Sequence, residues 1–313
     1  MEPLESSHRI LSLLPAATEL ACALGAASRL VGRSHACDHP ESIRGLPAVT
    51  ASAVTVGASG PAIHQAVLGA RERPRTLFRL DAGRVRSLKP DLILTQTQCA
   101  VCAVDLAEVE AMVAAWDGPA PRIVALCPGR LPDLWDDLHR VALALGLPDE
   151  GREVIQGLKT RLVNVLQQVA LVEHRPRVAC LEWLDPLMGT GHWIPELVEL
   201  AGGLPVCGRA GEPSRRLDWT ALADAEPEVI VAMPCGFDLE RTCAELERLW
   251  SRIEWTLLPA VRAGRVAATD GNAYFTRPGP RLVDSIEVLA ELLHPDLFPR
   301  PRHRDTGWRA VAR

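Results

Sequence analysis

The sequence contains no run of 18 or more apolar residues, so no helix long and apolar enough to cross a membrane is expected. Its opening, "MEPLESSHRILSLLPAATEL", lacks the basic stretch, apolar core and cleavage site of a secretory signal, which predicts a cytoplasmic protein from the chain as it begins here. Basic charge is not in excess: 34 Lys and Arg against 39 Asp and Glu leave a net charge of −5, which argues against nucleic acid or an anionic membrane as partner. There is no Walker or dinucleotide glycine loop and no G-x-S-x-G elbow. "MGTGHWIP" is glycine-bearing, but no third glycine falls in fingerprint register. No nucleophile–base or acid pair is identifiable, so an enzyme is not expected.

Apolar runs of strand length instead alternate with helical patterns, which predicts a parallel α/β architecture, and 313 residues suffice for two domains. The first series runs from "HRILSLLP" through "ATELACALGAA", "RLVGRS", "PAIHQAVLGARER", "DAGRVRSLK", "PDLILTQ" and "DLAEVEAMVAAW" to "PRIVALC". Asp105 is placed to cap its helix, with Glu108 completing a capping box. A second series runs from "RPRVACLEW" to "RLVDSIEVLAELL". Glu19-Leu20 with Leu24-Gly25 repeats as Glu196-Leu197 with Ala201-Gly202. Asp81, Pro90-Asp91 and Leu92-Ile93-Leu94 repeat as Asp218, Pro227-Glu228 and Val229-Ile230-Val231. Two matches in the same order favour an internal duplication. Between the series, Val154, Leu158, Leu162, Val165, Leu166 and Val169 recur at three- and four-residue steps after Pro148, predicting a helix of about 25 residues, roughly 40 Å long. The expected organisation is an N-terminal α/β lobe over 8–146, a bridging helix over 147–175, a C-terminal α/β lobe over 176–298 and a flexible basic tail over 299–313.

Ligands of open α/β sheets bind at the carboxyl ends of the strands. In the first half these positions hold Pro15, Ala16 and Thr18, then His35, Cys37, Asp38 and His39, then Gln98, Cys99 and Cys102. In the second they hold Glu182, Trp183, His192, Trp193, Cys235, Phe237, Asn272, Tyr274 and Phe275. Aromatics are only 4% of the chain, so their gathering at strand ends suggests a broad, flat-faced ligand. For Trp183 and Trp193 the competing reading is packing inside the lobe.

The segments "RILSLLPAATELACALGAASRLVGRSHACDHP", "LKPDLILTQTQC" and "MGTGHWIPELVELAGG" resemble the cobalamin-binding proteins of ABC importers, periplasmic binding proteins with a helical backbone. The resemblance covers about residues 8–295 and is to a leaderless subgroup that carries the same Cys-rich loop. It implies two Rossmann-like lobes joined by one long helix, a corrinoid or similar large metal chelate held between them, and a transporter as a possible partner. It implies no required cofactor.

Nine cysteines, an odd number spread along the chain, argue against a disulfide framework. Cys22 and Cys180, among apolar neighbours, read as small core residues. Cys99 and Cys102 admit three readings. With Cys37 and His35, and with His39 nearby, they could bind zinc or iron, since adjacent parallel strand ends lie about 4.8 Å apart. A thioredoxin-like pair is disfavoured, because Asp105 starts the helix after the pair and opposes thiolate formation. The preferred reading is a wall of small polarizable side chains, with His35 and Asp38 as polar contacts. His192, between Gly191 and Trp193, is the candidate axial ligand to a corrinoid cobalt. Corrinoid binding without catalysis leads; a thiol- and histidine-based metal protein is the alternative.

Overall fold

The computed structural model describes residues 9–53, 57–71, 77–97 and 104–311. The chain divides into two units, one of residues 1–128 and 132–157, the other of 129–131 and 158–313.

In the first unit, β1 (Ile10–Ser12), α1 (Pro15–Ala23) and β2 (Leu30–Arg33) are followed by a small antiparallel pair. That pair is β3 (Thr50–Ser52) and β4 (Phe78–Leu80), with α2 (Gly60–Arg71) between them in sequence. Then come α3 (Ala82–Leu88), β5 (Leu92–Gln96), α4 (Leu106–Ala114), β6 (Arg122–Leu126) and α5 (Leu131–Leu145). The main sheet has the order β2-β1-β5-β6, all parallel. Every residue of β1 and β5 is buried, as expected for central parallel strands covered on both faces. Leu11, Leu13 and Ile93 pack with Val85, Val109 and Met112 of the flanking helices. Strand order reverses at the β1/β5 boundary, so the crevice of this sheet opens past the ends of those two strands.

Helix α6 (Pro148–Val169) begins at the proline, whose missing N–H costs nothing in a first turn. Its 22 residues are continuous, and the boundary between the units falls within it, after Gly157.

The second unit opens with β7 (Arg177–Leu184), which turns back antiparallel into β8 (Leu187–Gly189). It continues through α7 (Ile194–Leu200), β9 (Leu204–Pro205), α8 (Trp219–Asp224), β10 (Val229–Ala232), α9 (Leu239–Leu249), α10 (Ile253–Leu257), α11 (Pro259–Arg262) and β11 (Val266–Thr269). A π-helical turn over Gly271–Phe275, α12 (Leu282–Leu293) and β12 (Trp308–Ala310) complete it. The order is β12-β11-β10-β7-β8, with β9 beside the start of β7. Strands β7, β9, β10 and β11 are parallel; β8 and β12 run against them. Here the order reverses between β7 and β10.

The segments matched in sequence fold into the same local devices. Helix α1 ends at Gly25 with φ of 78°, and α7 ends at Gly202 with φ of 82°. At each, the glycine N–H reaches back three residues and the next N–H five, as Gly25 to Cys22 and Ala26 to Ala21, then Gly202 to Glu199 and Gly203 to Val198. This left-handed ending favours glycine because a Cβ there is strained. Asp81 caps α3 by accepting from the Arg84 N–H, and Asp218 caps α8 by accepting from the Ala221 N–H. Asp105 likewise accepts from the Ala107 N–H at the start of α4.

The tail departs from its expected flexibility. Trp308 is buried and its Nε1 donates to Glu291 Oε2 at 2.9 Å, while β12 pairs with β11. His303, also buried, contacts Glu287 through Nε2. The basic composition concealed one tryptophan and one histidine with acidic partners on α12, enough to fix the segment as an edge strand.

Candidate functional site

Past β1 and β2 the first unit carries a hydrogen-bonded polar layer. Thr18, buried on α1, places Oγ1 within hydrogen-bond distance of Ser12 Oγ at 2.8 Å and of Cys37 Sγ at 3.0 Å. The Arg33 guanidinium donates to the carbonyls of Ser34, His35, Cys37 and Arg44, which fixes the turn that follows β2. His35 is half-buried. Its Nδ1 lies 2.7 Å from Thr50 Oγ1, which also takes the His35 N–H, and its ring rests 5.4 Å from that of Phe78. Burial, then the nearby Arg33 charge, push the His35 imidazole below its ordinary value, which keeps it neutral at pH 7. Pro15 and Asp38 are half-buried; Ala16 and Cys37 are buried. Gln98, Cys99 and Cys102 lie outside the described residues.

In the second unit the ends of β7 and β10 are tied together: the Met233 N–H donates to the Leu181 carbonyl and the Cys235 N–H to that of Glu182. Glu182 Oε2 accepts from Ser214 Oγ at 2.5 Å, and Ser214 Oγ in turn accepts from the Gly191 N–H at 3.1 Å. An added Cβ at Gly191 would run into the Glu212 carbonyl, so the loop after β8 presses directly on 212–214. The next residue, His192, adopts φ of 51°, uncommon without glycine. Its N–H donates to the Glu212 carbonyl at 2.7 Å and its own carbonyl accepts from the Gly211 N–H at 2.8 Å. Such over-determined left-handed residues concentrate at functional positions. The ring is half-buried, and burial pushes its imidazole below the ordinary value. A neutral imidazole can offer a nitrogen lone pair to a metal.

The aromatics expected to face a ligand are mostly packed into the unit. Trp183, Trp193, Phe237 and Phe275 are between 2% and 8% exposed. Trp183 packs on Phe237 at 5.1 Å, Arg241 covers the Phe237 ring at 3.6 Å, and Trp193 Nε1 donates to the Phe275 carbonyl. A large apolar ring gains more from burial than a strand-end position predicts, and both indole N–H groups find carbonyl partners. Tyr274 is half-buried, edge-on to His303. Glu182 stood among the strand-end positions read from sequence, and Ser214 was not singled out. Only the strand-end position of Glu182 marked it, and Ser214 joins it through a loop 32 residues away.

Among the described residues, one group of side chains has metal-ligating atoms within reach of one another: Asp284, Glu287 and His303. The Arg161 guanidinium already bonds both carboxylates. That makes it an ion-pair network. His35 and Cys37 form no such group among the described residues, and Cys37 Sγ is held by Thr18.

A family model described as periplasmic binding protein matches residues 10–273. The chain belongs to the periplasmic binding protein family. That family consists of substrate-binding transport proteins and is not one of enzymes. Among its relatives, an ABC transporter substrate-binding lipoprotein of Bacillus subtilis is 20% identical over 295 residues, covering 93% of this chain and 81% of the relative. A vitamin B12-binding protein of Yersinia pestis is 23% identical over 304 residues, covering 92% and 87%. Among solved structures, a periplasmic heme-binding protein from Roseiflexus superposes with a TM-score of 0.71 at 22% identity, covering 93% of this chain and 99% of that one. The periplasmic vitamin B12-binding protein of Vibrio cholerae gives 0.67 at 22%, covering 93% and 98%. The fold is that of the periplasmic binding proteins with a helical backbone, as the sequence resemblance implied.

Proposed function

We propose that this chain binds a large planar metal chelate, a corrinoid in the first instance, and presents it to an ABC importer without chemical change. The observation that carries the reading is the family match over residues 10–273. Support for the ligand class comes from relatives described as vitamin B12-binding and heme-binding proteins. The ligand contacts proposed are the half-buried strand-end groups: Pro15, His35 and Asp38 in the first unit, and His192 and Tyr274 in the second. His192 would supply the axial nitrogen. No resident cofactor is required. The compartment is proposed to follow the relatives described as periplasmic or lipid-anchored.

Heme is the second reading, favoured by neighbours described as heme-binding. Zinc or iron held by His35, Cys37, Cys99 and Cys102 is a third, weakened by the Thr18 contact to Cys37 Sγ.

Calorimetric titration of purified protein with cyanocobalamin and with hemin decides among these, alongside metal analysis under reducing conditions. Saturable 1:1 binding of cyanocobalamin is expected, with a shift in its visible spectrum that His192→Ala abolishes. Stoichiometric zinc or iron with no tetrapyrrole binding would replace this reading by the metal one.

A further inference from the structure

Glu182 is a carboxylate placed where binding chemistry is concentrated. It stands near the carboxyl end of β7, at the boundary where strand order reverses toward β10, and the backbone N–H of Cys235 closes on its carbonyl. The hydrogen-bond directions around it are fixed. The Gly191 N–H donates to Ser214 Oγ, so the single Ser214 hydrogen is directed at Glu182 Oε2, and the 2.5 Å separation is that of a charge-assisted bond. Oε2 is therefore an acceptor that already has its donor. Oε1 has no hydrogen-bond partner among the described residues. Oε1 is not among the fully buried atoms left without a partner, so it is open to an incoming N–H donor. Burial pushes this carboxyl up and the Ser214 bond opposes that rise.

We propose that Glu182, oriented by Ser214, forms the subsite of the second unit that accepts hydrogen bonds from primary-amide N–H groups on the rim of the bound chelate and turns away ligands whose rim carries carboxylates. This rests on the function proposed above and sharpens it. A corrinoid rim bears amide side chains, which can donate. A heme rim bears two propionates, which would meet a like charge inside a low-dielectric site. The same geometry that welcomes the first penalises the second.

The test is titration of wild type, E182Q, E182A and S214A with cyanocobalamin and with hemin, each variant checked for folding by circular dichroism. Loss of a hydrogen bond to a charged group should weaken cyanocobalamin about tenfold or more in E182A. E182Q, which keeps the shape and removes the charge, should narrow the ratio of the two affinities by improving hemin. S214A should weaken cyanocobalamin less than E182A does. A uniform structural defect would lower both affinities together and leave their ratio unmoved, which would count against the subsite. Cyanocobalamin binding equal in wild type, E182A and E182Q would overturn the inference and leave the corrinoid reading standing. Wild type that binds hemin tightly, with affinity unaltered by E182Q, would also overturn it. Wild type that binds neither would overturn both. Should E182A fail to fold, the E182Q ratio decides.

Discussion

His303 Nε2 lies 2.9 Å from Glu287 Oε2, joining the C-terminal segment to α12. Arg161 of α6 grips the same carboxylate through Nε and Nη2, at 2.9 and 2.8 Å. Burial alone would push the Glu287 carboxyl up, but the hydrogen bonds from His303 and Arg161 outweigh it and bring the group down to about 2. A depressed carboxyl adds stability above its unfolded value, and the contribution is lost as pH falls through the folded one. A shift of this size corresponds to about 3 kcal/mol. Urea unfolding should therefore show stability falling as pH drops from about 4.5 toward 2, and Glu287→Gln should flatten that limb while lowering the midpoint at pH 7. An unchanged acid limb in the variant would refute the assignment.

Asp137 on α5 carries the opposite sign. It is 1% exposed, with Oδ2 lacking a partner among the described residues and Oδ1 3.3 Å from the Arg140 guanidinium. Burial pushes its carboxyl up to about 6, against the pull of Arg140 and the Cys127 N–H. A raised carboxyl stabilises the fold most fully at low pH, and that contribution disappears as pH rises through about 6. Asp137→Asn, which removes the buried charge, should raise stability at pH 8 by about 3 kcal/mol and confer little at pH 4. Thermal melts at the two pH values read the difference. A variant less stable at pH 8 would show that the Arg140 pairing outweighs burial.

Much of this was legible beforehand. The alternation of strands and helices, the start of α6 at Pro148 and the Asp105 cap are local signals, each dictated by a few neighbouring residues. What escaped is non-local. Strands β8, β9 and β12 are two or three residues long, and a partner in the sheet defines them more than any pattern of their own. Ser214 reaches Glu182 only because Gly191 lets two loops meet. The burial of Phe237 and Phe275 was likewise hidden, and for Trp183 and Trp193 the sequence left packing and ligand contact both open, because ligand walls and core fillers at strand ends share one composition.

Deleting the side chain of Trp308 tests the reassigned tail. Trp308→Ala removes a buried indole and leaves Glu291 Oε2 without that donor, at a cost of about 3–5 kcal/mol. Truncation before Arg302 should do more, because it bares the edge of β11 to pairing with other chains. Light scattering on the truncated protein should report aggregation; a monodisperse product of unaltered stability would restore the picture of a loose tail.

Thiol labelling checks the cysteine assignments. Cys127 and Cys235 are exposed and should react with maleimide within minutes at pH 7. Cys37 and Cys180 are buried and should react only on unfolding. Cys22 and Cys207 are partly exposed, but burial pushes each thiol up to about 11, so their thiolate is scarce and labelling should be slow. Peptide mapping by mass spectrometry gives the order. Fast modification of Cys37 would show that the Thr18 layer opens.

Arg33 gives the first unit a stiff template. Its guanidinium secures the carbonyls of Ser34, His35 and Cys37, so hydrogen bonds within the chain set the backbone that carries His35. A template of that kind tolerates exchange of single side chains such as His35 or Asp38, with the peptide scaffold beneath them left intact. Repeated rounds of substitution at those two positions should therefore leave the melting temperature nearly constant.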